Sequence, residues 1–440
     1  MKLSGWGRFP IRDGRLFSPR DEAALIERVR TGAMIARGNG RAYGDSAVGR
    51  GDTVHMEHFD RLVAFNPESG QLVAEAGVLL GDIIDAFLPL GWFPAVTPGT
   101  KFVTLGGMIA ADVHGKNHHK EGSFGNFVDW FDLVDEGGCV RRCSRQENAD
   151  LFAWTFGAMG LTGVILRAGI RLRPVETAWI RQTTTPARNF DEAMDLFEQT
   201  IEATYSVAWI DCLSRGTALG RSLVMSGEHA EIRDLDEKRK ASPLSAPRKH
   251  RKSVPIDFPS WSLNRLSVRS FNEAYFRSGK WTAGERLIDW DSFFYPLDSV
   301  LGWNRIYGRQ GFAQFQCVLP LDASRAGLRA LLEKIADAGK GSFLAVLKRL
   351  GRQDSRFSFP MEGYTLALDF PVSAGTLELM SALDEITLTH GGRFYLAKDS
   401  RMTADTLLAS DGRAEAFRAM RAAQGLREKF QSFQSERLGL

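Results

Sequence analysis

Two glycine-rich stretches constrain this chain more than any other feature. ARGNGRAYGD (36–45) leaves the short apolar run AMIA and places glycines at 38, 40 and 44. About sixty residues later VTPGTKFVTLGGMIAADVHG (96–115) supplies a second such stretch. Glycine adopts backbone conformations closed to other residues, and a turn of consecutive N–H groups binds phosphate or pyrophosphate. The first loop is not the dinucleotide fingerprint Gly-x-Gly-x-x-Gly, nor a Walker loop, since no Gly-Lys-Ser/Thr follows. Alone it reads better as a plain surface turn. Two such loops, each leaving a strand, suit a long ligand with a diphosphate and a flat ring system. FGAMGLTGVILRAGIRLRP (156–174) adds three glycines ahead of a further strand.

The second stretch runs into HGKNHHKEG, where His114, His118 and His119 crowd together between Asp112 and Glu121. His114 and His118 have the His-x-x-x-His spacing of a helical zinc site. Gly115 and Lys116-Asn117 make a poor helix, however, and Lys116 and Lys120 set positive charge beside any bound cation. No metal is therefore expected. His118 and His119 are expected to fix the loop. A metal-dependent hydrolase is the competing reading, and it requires near-stoichiometric zinc or iron.

At 440 residues the chain exceeds one core, so two domains are expected. A formal net charge of +3 and a pI near 8.6 are too mild for nucleic acid as the main partner. MKLSGWGRFPIRDGR lacks the apolar core of a signal peptide, and no apolar run reaches membrane-spanning length. Cys139, Cys143, Cys212 and Cys317 lack the paired Cys-x-x-Cys spacing of structural zinc and are expected to be reduced thiols, so the expected location is cytoplasmic.

Ser18-Pro19 is expected to open a helix through AALIERVR that ends at Gly32. TVHME, LVAFN and QLVAE read as short strands, LLGDIIDAFLPLG as a helix, and GVILRAGIRLRP as a strand closing a sheet. This mixture gives an α+β fold class. Residues 178–392 combine longer helices with alternating strands such as AQFQCVLP and YTLALDFPV, as in a sheet covered by helices. Within them DEKRKASPLSAPRKHRKS (236–253) is rich in Lys, Arg, Pro and Ser and reads as an exposed, mobile basic loop. It is either a solvated linker or a contact for anionic lipid headgroups.

The pyrophosphate loop, the Gly-Gly-x-Ile-Ala segment and the unit LFAWTFGAMGLTGV, in that order, resemble the FAD-binding domain of the vanillyl-alcohol-oxidase family. GWGRFP, HGKNHHKEGSFGN, FAQFQ, LKRLG, DFPV and FYLAKDSRM further resemble a branch of that family, over nearly the whole chain. That branch oxidises the 2-hydroxyl of a polyprenylphosphoryl-β-D-ribose. The resulting 2-keto sugar passes to a separate NAD(P)H-dependent short-chain reductase, which completes epimerisation to the arabinose form used in cell-wall arabinan.

The resemblance implies a two-domain fold. Residues 1–177 and 393–440 would form a discontinuous FAD domain, and residues 178–392 a substrate domain. It implies that Arg37, Gly38, Asn39, Gly40, Arg41, Ala42, Tyr43, Gly44 and Asp45 cradle the pyrophosphate. Thr100, Thr104, Gly106, Gly107, Ala110, His114 and Gly115 would run along the flavin, with Tyr395 also contacting it. Gly160, Gly163 and Val164 would complete the adenine side. Many family members attach FAD through a histidine in the first loop. Arg41 stands at that position, so non-covalent FAD is expected.

For chemistry, the resemblance implies Lys398 as the group holding the substrate oxygen, with Tyr395, Tyr43 and His114 beside it. Lys116, Gln314, Gln316, Lys348, Thr365 and Ala367 would line the substrate pocket. Thr365 stands where that branch carries an asparagine and Ala367 where it carries a cysteine, so the pocket wall differs. A lipid-linked sugar phosphate is the expected substrate, with peripheral membrane contact. A soluble sugar, alditol or aldonolactone is the alternative, and a non-catalytic lipid-binding protein is a further one.

Overall fold

The computed structural model describes residues 1–247, 252–259 and 261–440. Strands Arg15–Phe17, Asp52–His55 and Met34–Arg37 form a small parallel sheet, joined by the crossover helix Glu22–Thr31. Parallel pairing requires such a crossover and covers both faces, which is why Met34, Ile35, Thr53 and Val54 are all buried. The helix begins later than Ser18-Pro19 suggests. Asp21 is its cap, accepting the Ala24 N–H at 2.8 Å, while the Ser18 hydroxyl donates to Glu57.

A six-stranded antiparallel sheet follows. Val164–Pro174 sits at its centre between Val128–Val134 and Gln71–Glu75, and also pairs with Trp92–Pro94. Its apolar side packs on the helices Leu80–Phe87 and Leu105–Ala110.

An eight-stranded sheet carries the rest. Its order is Gly284–Asp289, Trp179–Ala187, Ser222–His229, Tyr205–Ile210, Ala345–Leu350, Gly363–Pro371, Phe312–Pro320, Arg393–Phe394. Alternation decides its two faces. Ala313, Phe315, Cys317, Leu366, Leu368, Ala345 and Leu347 enter a core shared with helices Phe190–Gln199, Leu321–Ala338 and Ala374–Thr389. The intervening residues, Gln314, Gln316, Thr365, Ala367, Asp369, Val346 and Lys348, are therefore left on the opposite face.

The C-terminal helices Ala404–Ser410, Arg413–Ala423 and Phe433–Leu438 pack on Ile35, Trp154 and Phe357. Met34 exchanges backbone bonds with Lys429 and Gln431 at 2.8 and 2.9 Å, tying the two ends of the chain together.

The described part of the basic stretch is largely exposed, but it makes some defined contacts. Glu237–Lys240 is a helical turn capped by Asp236. Leu244 and Ala246 pack against the core that includes the six-stranded sheet, and the Pro243 carbonyl accepts the Ala178 N–H at 2.8 Å. A few apolar residues among many charges suffice to dock it. Residues 248–251 of that stretch lie outside the described residues.

Candidate active site

The two glycine loops meet edge to edge. A Cβ on Gly38 would strike the Thr104 hydroxyl at 2.1 Å, and the Asn39 amide donates to the Phe102 carbonyl at 2.8 Å. Gly40 has φ +63°, the left-handed region where glycine is favoured. Among the described residues, no acceptor is found for the backbone N–H groups of Gly38, Asn39, Gly40, Arg41 and Ala42. Gly107 is exposed, and a Cβ there would meet only the Thr104 hydroxyl. The third glycine segment joins them, since Met159 N–H donates to the Ala110 carbonyl at 2.9 Å. Gly160 (φ +83°) lies against Ile35, and Gly163 and Val164 are buried beside Leu133 and Val134.

Several residues expected at the cofactor have their polar groups engaged within the protein. Arg37 donates to the Ser4 carbonyl at 2.8 Å. Asp45 is fully buried between Arg12 at 3.1 Å and Arg437 at 2.9 Å. Arg41 stacks on Trp6, 4.1 Å from its ring centre, and on Phe102. Its Nε is buried with no partner among the described residues. Thr100 lies beside the Asp298 carboxylate, which also accepts the Lys101 N–H at 2.8 Å and whose pKa burial raises.

The turn YLAKDS closes on the first loop from the far end of the chain. Tyr43 N–H donates to the Ala397 carbonyl at 2.9 Å, and a Cβ on Gly44 would sit 2.0 Å from the Asp399 carbonyl oxygen. This puts Lys398 Nζ 3.6 Å from the centre of the Tyr43 ring, a cation–π contact. Burial lowers the Lys398 pKa, Asp369 opposes that shift, and Lys348 adds to it. Asp369 is raised, first by burial, and accepts a hydrogen bond from the Gln314 amide across the strand pair. Burial and the Asp369 charge raise the Tyr43 hydroxyl.

Facing this group is His114. Gln316 Nε2 lies 3.2 Å from His114 Nε2 and donates to Thr365 Oγ1, also at 3.2 Å. The amide hydrogen makes His114 Nε2 the acceptor, so Nδ1 carries the ring proton. Burial, then Lys348, holds the ring neutral, and Nδ1 is buried without a partner among the described residues. Tyr395 and Phe359 pack on this ring at 5.1 and 5.5 Å, and Tyr395 OH donates to the Ala111 carbonyl at 3.0 Å.

The other histidines have different work. Gly351 N–H donates to His118 Nδ1 at 3.1 Å, so His118 Nε2–H donates to Gln353 Oε1 at 2.7 Å. Burial lowers His118 to about 4, in keeping with that neutral form. His119 Nε2 pairs with the Ala203 carbonyl at 2.8 Å. Asp112, at φ +39°, gathers Ser123, Ser358, Gln353 and the Gly125 N–H and so locks the loop to the segment 353–358. Lys116 donates to the Phe293 carbonyl, sits over the Phe293 ring, and is lowered to about 7 by burial and Lys348. Lys348 is lowered to about 8 by burial alone.

Asp369, in the Asp-Phe-Pro motif, was not among the expected residues but lies beside Gln314 and Lys398. The signal was present: Thr365, Ala367 and Asp369 are alternate residues of one strand and so share one face.

The comparisons agree with this geometry. Residues 15–144 match the family described as "FAD binding domain". The decaprenylphosphoryl-β-D-ribose oxidase of Mycolicibacterium smegmatis is 36% identical over 419 residues, covering 93% of this chain and 91% of that protein. The chain belongs to the decaprenylphosphoryl-β-D-ribose oxidase family. It is an FAD-dependent oxidoreductase of the vanillyl-alcohol-oxidase type. More distant members of the wider group match only in part. Bos taurus L-gulonolactone oxidase is 28% identical over 42% of this chain and 43% of its own. Arabidopsis thaliana cytokinin dehydrogenase 5 is 31% identical over 36% of this chain and 31% of its own.

The residues present fit FAD. Five neighbouring amides without acceptors suit a pyrophosphate, the bare face at Gly107 admits a flat ring, and unpartnered buried atoms on Arg41, His114 and Gln314 await polar groups. No helix among the described residues is long and apolar enough to cross a membrane.

Proposed function

We propose that this protein oxidises the 2-hydroxyl of a polyprenylphosphoryl-β-D-ribose to the 2-keto sugar. The observation that carries this reading is Lys398, buried over Tyr43 and facing the His114–Gln316 pair across the junction of loops and sheet. Bound FAD supplies the two-electron acceptor for the hydride. The amides of 38–42 and the first turn of the helix at Gly106–Gly107 would hold it, non-covalently, since Arg41 offers no nucleophile.

Lys398 holds the substrate oxygen and stabilises negative charge developing on it as its proton leaves. Asp369, raised by burial against the opposing charge of Lys398, is the group beside it that can take and return a proton. His114 Nδ1–H would offer a bound group a hydrogen bond without carrying charge. Lys348 and Lys116 counter the substrate phosphate. Gln314, Gln316, Thr365 and Ala367 form the sugar-facing wall. The FAD domain in this reading is 1–177 with 393–440, and 178–392 holds the substrate.

The product is a keto sugar, so an NAD(P)H-dependent short-chain reductase is the partner that consumes it. The protein would act from the cytoplasm at a membrane face, with the basic stretch 236–253 near anionic headgroups.

Absorbance before and after denaturation tests the cofactor. The expected result is flavin bands that pass into the supernatant. A colourless protein that takes up no FAD refutes the reading. Turnover of lipid-linked ribose against free sugars tests the substrate, and a free alditol or aldonolactone oxidised faster would replace it.

A further inference from the structure

The exposed large apolar side chains are not scattered evenly. Of seventeen among the described residues, seven fall between residues 256 and 281. Trp261 and Leu266 are each 75% exposed and Trp281 is 92% exposed. Single exposed apolar residues are ordinary, but a concentration of this kind marks an interaction surface.

The helix that carries most of them, Arg265–Trp281, is firmly seated. Asn264 caps it with a reciprocal box to Ser267. Its inner side buries Val268 and Asn272, and Asn272 donates to Asp211 at 2.8 Å. Gly279 abuts Leu223, and Tyr275 packs on Trp209 at 4.8 Å. Trp209 and Leu223 alternate with Ala208 and Val224, which enter the helix-covered core. The helix therefore lies on the same sheet face as Gln314, Asp369 and Lys348. Aromatic contacts connect the two places: Phe271 to Phe343 at 5.5 Å, Phe343 to Tyr307 at 5.7 Å, Tyr307 to Phe312 at 4.4 Å and Phe312 to Tyr43 at 5.3 Å. Lys398 stands on the last of these rings.

The charge of this surface is one-sided. Residues 252–281 hold Lys252, Arg265, Arg269, Arg277 and Lys280 against Asp257 and Glu273. Both carboxylates are already paired, Asp257 with Arg8 and Glu273 with Arg221 and Arg277. Tryptophan and leucine beside excess cation is the chemistry of a bilayer interface carrying anionic headgroups.

We propose that Arg265–Trp281, with Ile256, Phe258 and Trp261 before it, is the face that seats on an anionic lipid bilayer. Seated so, Phe271 at the exposed end of the aromatic row would meet the polyprenyl chain, on the same sheet face as Lys398 at the row's other end. This assignment rests on the lipid-linked substrate proposed above.

The test uses the FAD-loaded full chain and sedimentation with phosphatidylcholine vesicles with and without phosphatidylglycerol. The expected result is binding to the anionic vesicles that weakens as salt rises. The triple variant Trp261→Ser, Leu266→Ser, Trp281→Ser should lose binding by about tenfold or more. Its flavin spectrum, melting temperature and turnover of a water-soluble short-chain ribosyl phosphate should stay unchanged. Wild-type protein that ignores anionic vesicles at low salt would overturn the proposal, as would a triple variant that binds like wild type. Size-exclusion showing that the variant only turns a dimer into a monomer would assign the face to a second copy instead. Vesicle binding is read without turnover, so it can fail while detergent-dispersed lipid-linked ribose is still oxidised. The converse result would remove the substrate reading alone.

Discussion

Lys348 is an expensive residue to keep. Burial lowers its pKa from 10.5 to about 8, and no carboxylate pairs with it among the described residues. The unfolded chain thus holds its proton more tightly than the folded one. The penalty is complete below about pH 8 and is relieved as pH rises from about 8 towards 10.5, so stability gains with pH across that window. Lys348→Met should raise stability at pH 7 by about 1–3 kcal/mol, read as a higher urea midpoint, and should remove that part of the alkaline gain. The same variant should weaken binding of the phosphorylated substrate, since an unpaired amine at a site is best explained by an anion that arrives later. Lys398 makes a different demand. Lys398→Ala should lower kcat by about 10²–10³-fold while the flavin spectrum of the purified protein is retained. Equal losses in kcat and in flavin content would show that the residue serves binding instead.

At the scale of elements, the site depends on two loops and a turn approaching closer than side chains allow. Gly44 is the tightest point, because its neighbour is the Asp399 backbone and not a flexible side chain. Gly44→Ala should cost about 1–3 kcal/mol and part the first loop from the YLAKDS turn, reducing FAD retention on gel filtration. Gly99, where a Cβ would meet nothing within 4 Å, is the control and should tolerate alanine. Such contacts separate what was legible in the sequence from what was not. The glycine loops, the amphipathic helices and the alternation of FAQFQ and YTLALDFPV are local patterns, and the strands they imply are present. The cap of the first helix was misplaced because Ser18 and Asp21 both suit an N-cap, and only the distant Glu57 draws Ser18 away. The contacts of Leu244 and Ala246 were not legible, because composition says little about two apolar residues finding a core made by other segments. Asp369 was passed over because its neighbours Gln314 and Lys398 come from other parts of the chain.

At the scale of the molecule, the last turn of the chain closes the first loop. Arg437 reaches Asp45 at 2.9 Å and Asp399 at 3.0 Å, and Gln434 donates to Asp399 and to the Leu396 carbonyl. Asp45 follows the glycine turn and Asp399 follows Lys398, so one guanidinium couples the loop read as the FAD cradle to the turn that carries the lysine. Both carboxylates are buried, and Arg437 is the principal cause of the lowered Asp399 pKa. Removing the cation leaves two buried carboxylates with reduced compensation, the situation in which loss of one partner is most costly. Arg437→Met should therefore destabilise the fold by about 3–5 kcal/mol, and the loss should shrink as pH falls and Asp399 takes up its proton. Arg437→Lys keeps one charge but not the forked geometry, so it should restore stability only in part. Because Asp399 is covalently next to Lys398, the methionine variant should also release FAD more readily and lower kcat, although position 437 contributes no group to the candidate site. A variant that melts early yet holds FAD and turns over normally before melting would show that the C-terminal turn stabilises the molecule without positioning its lysine.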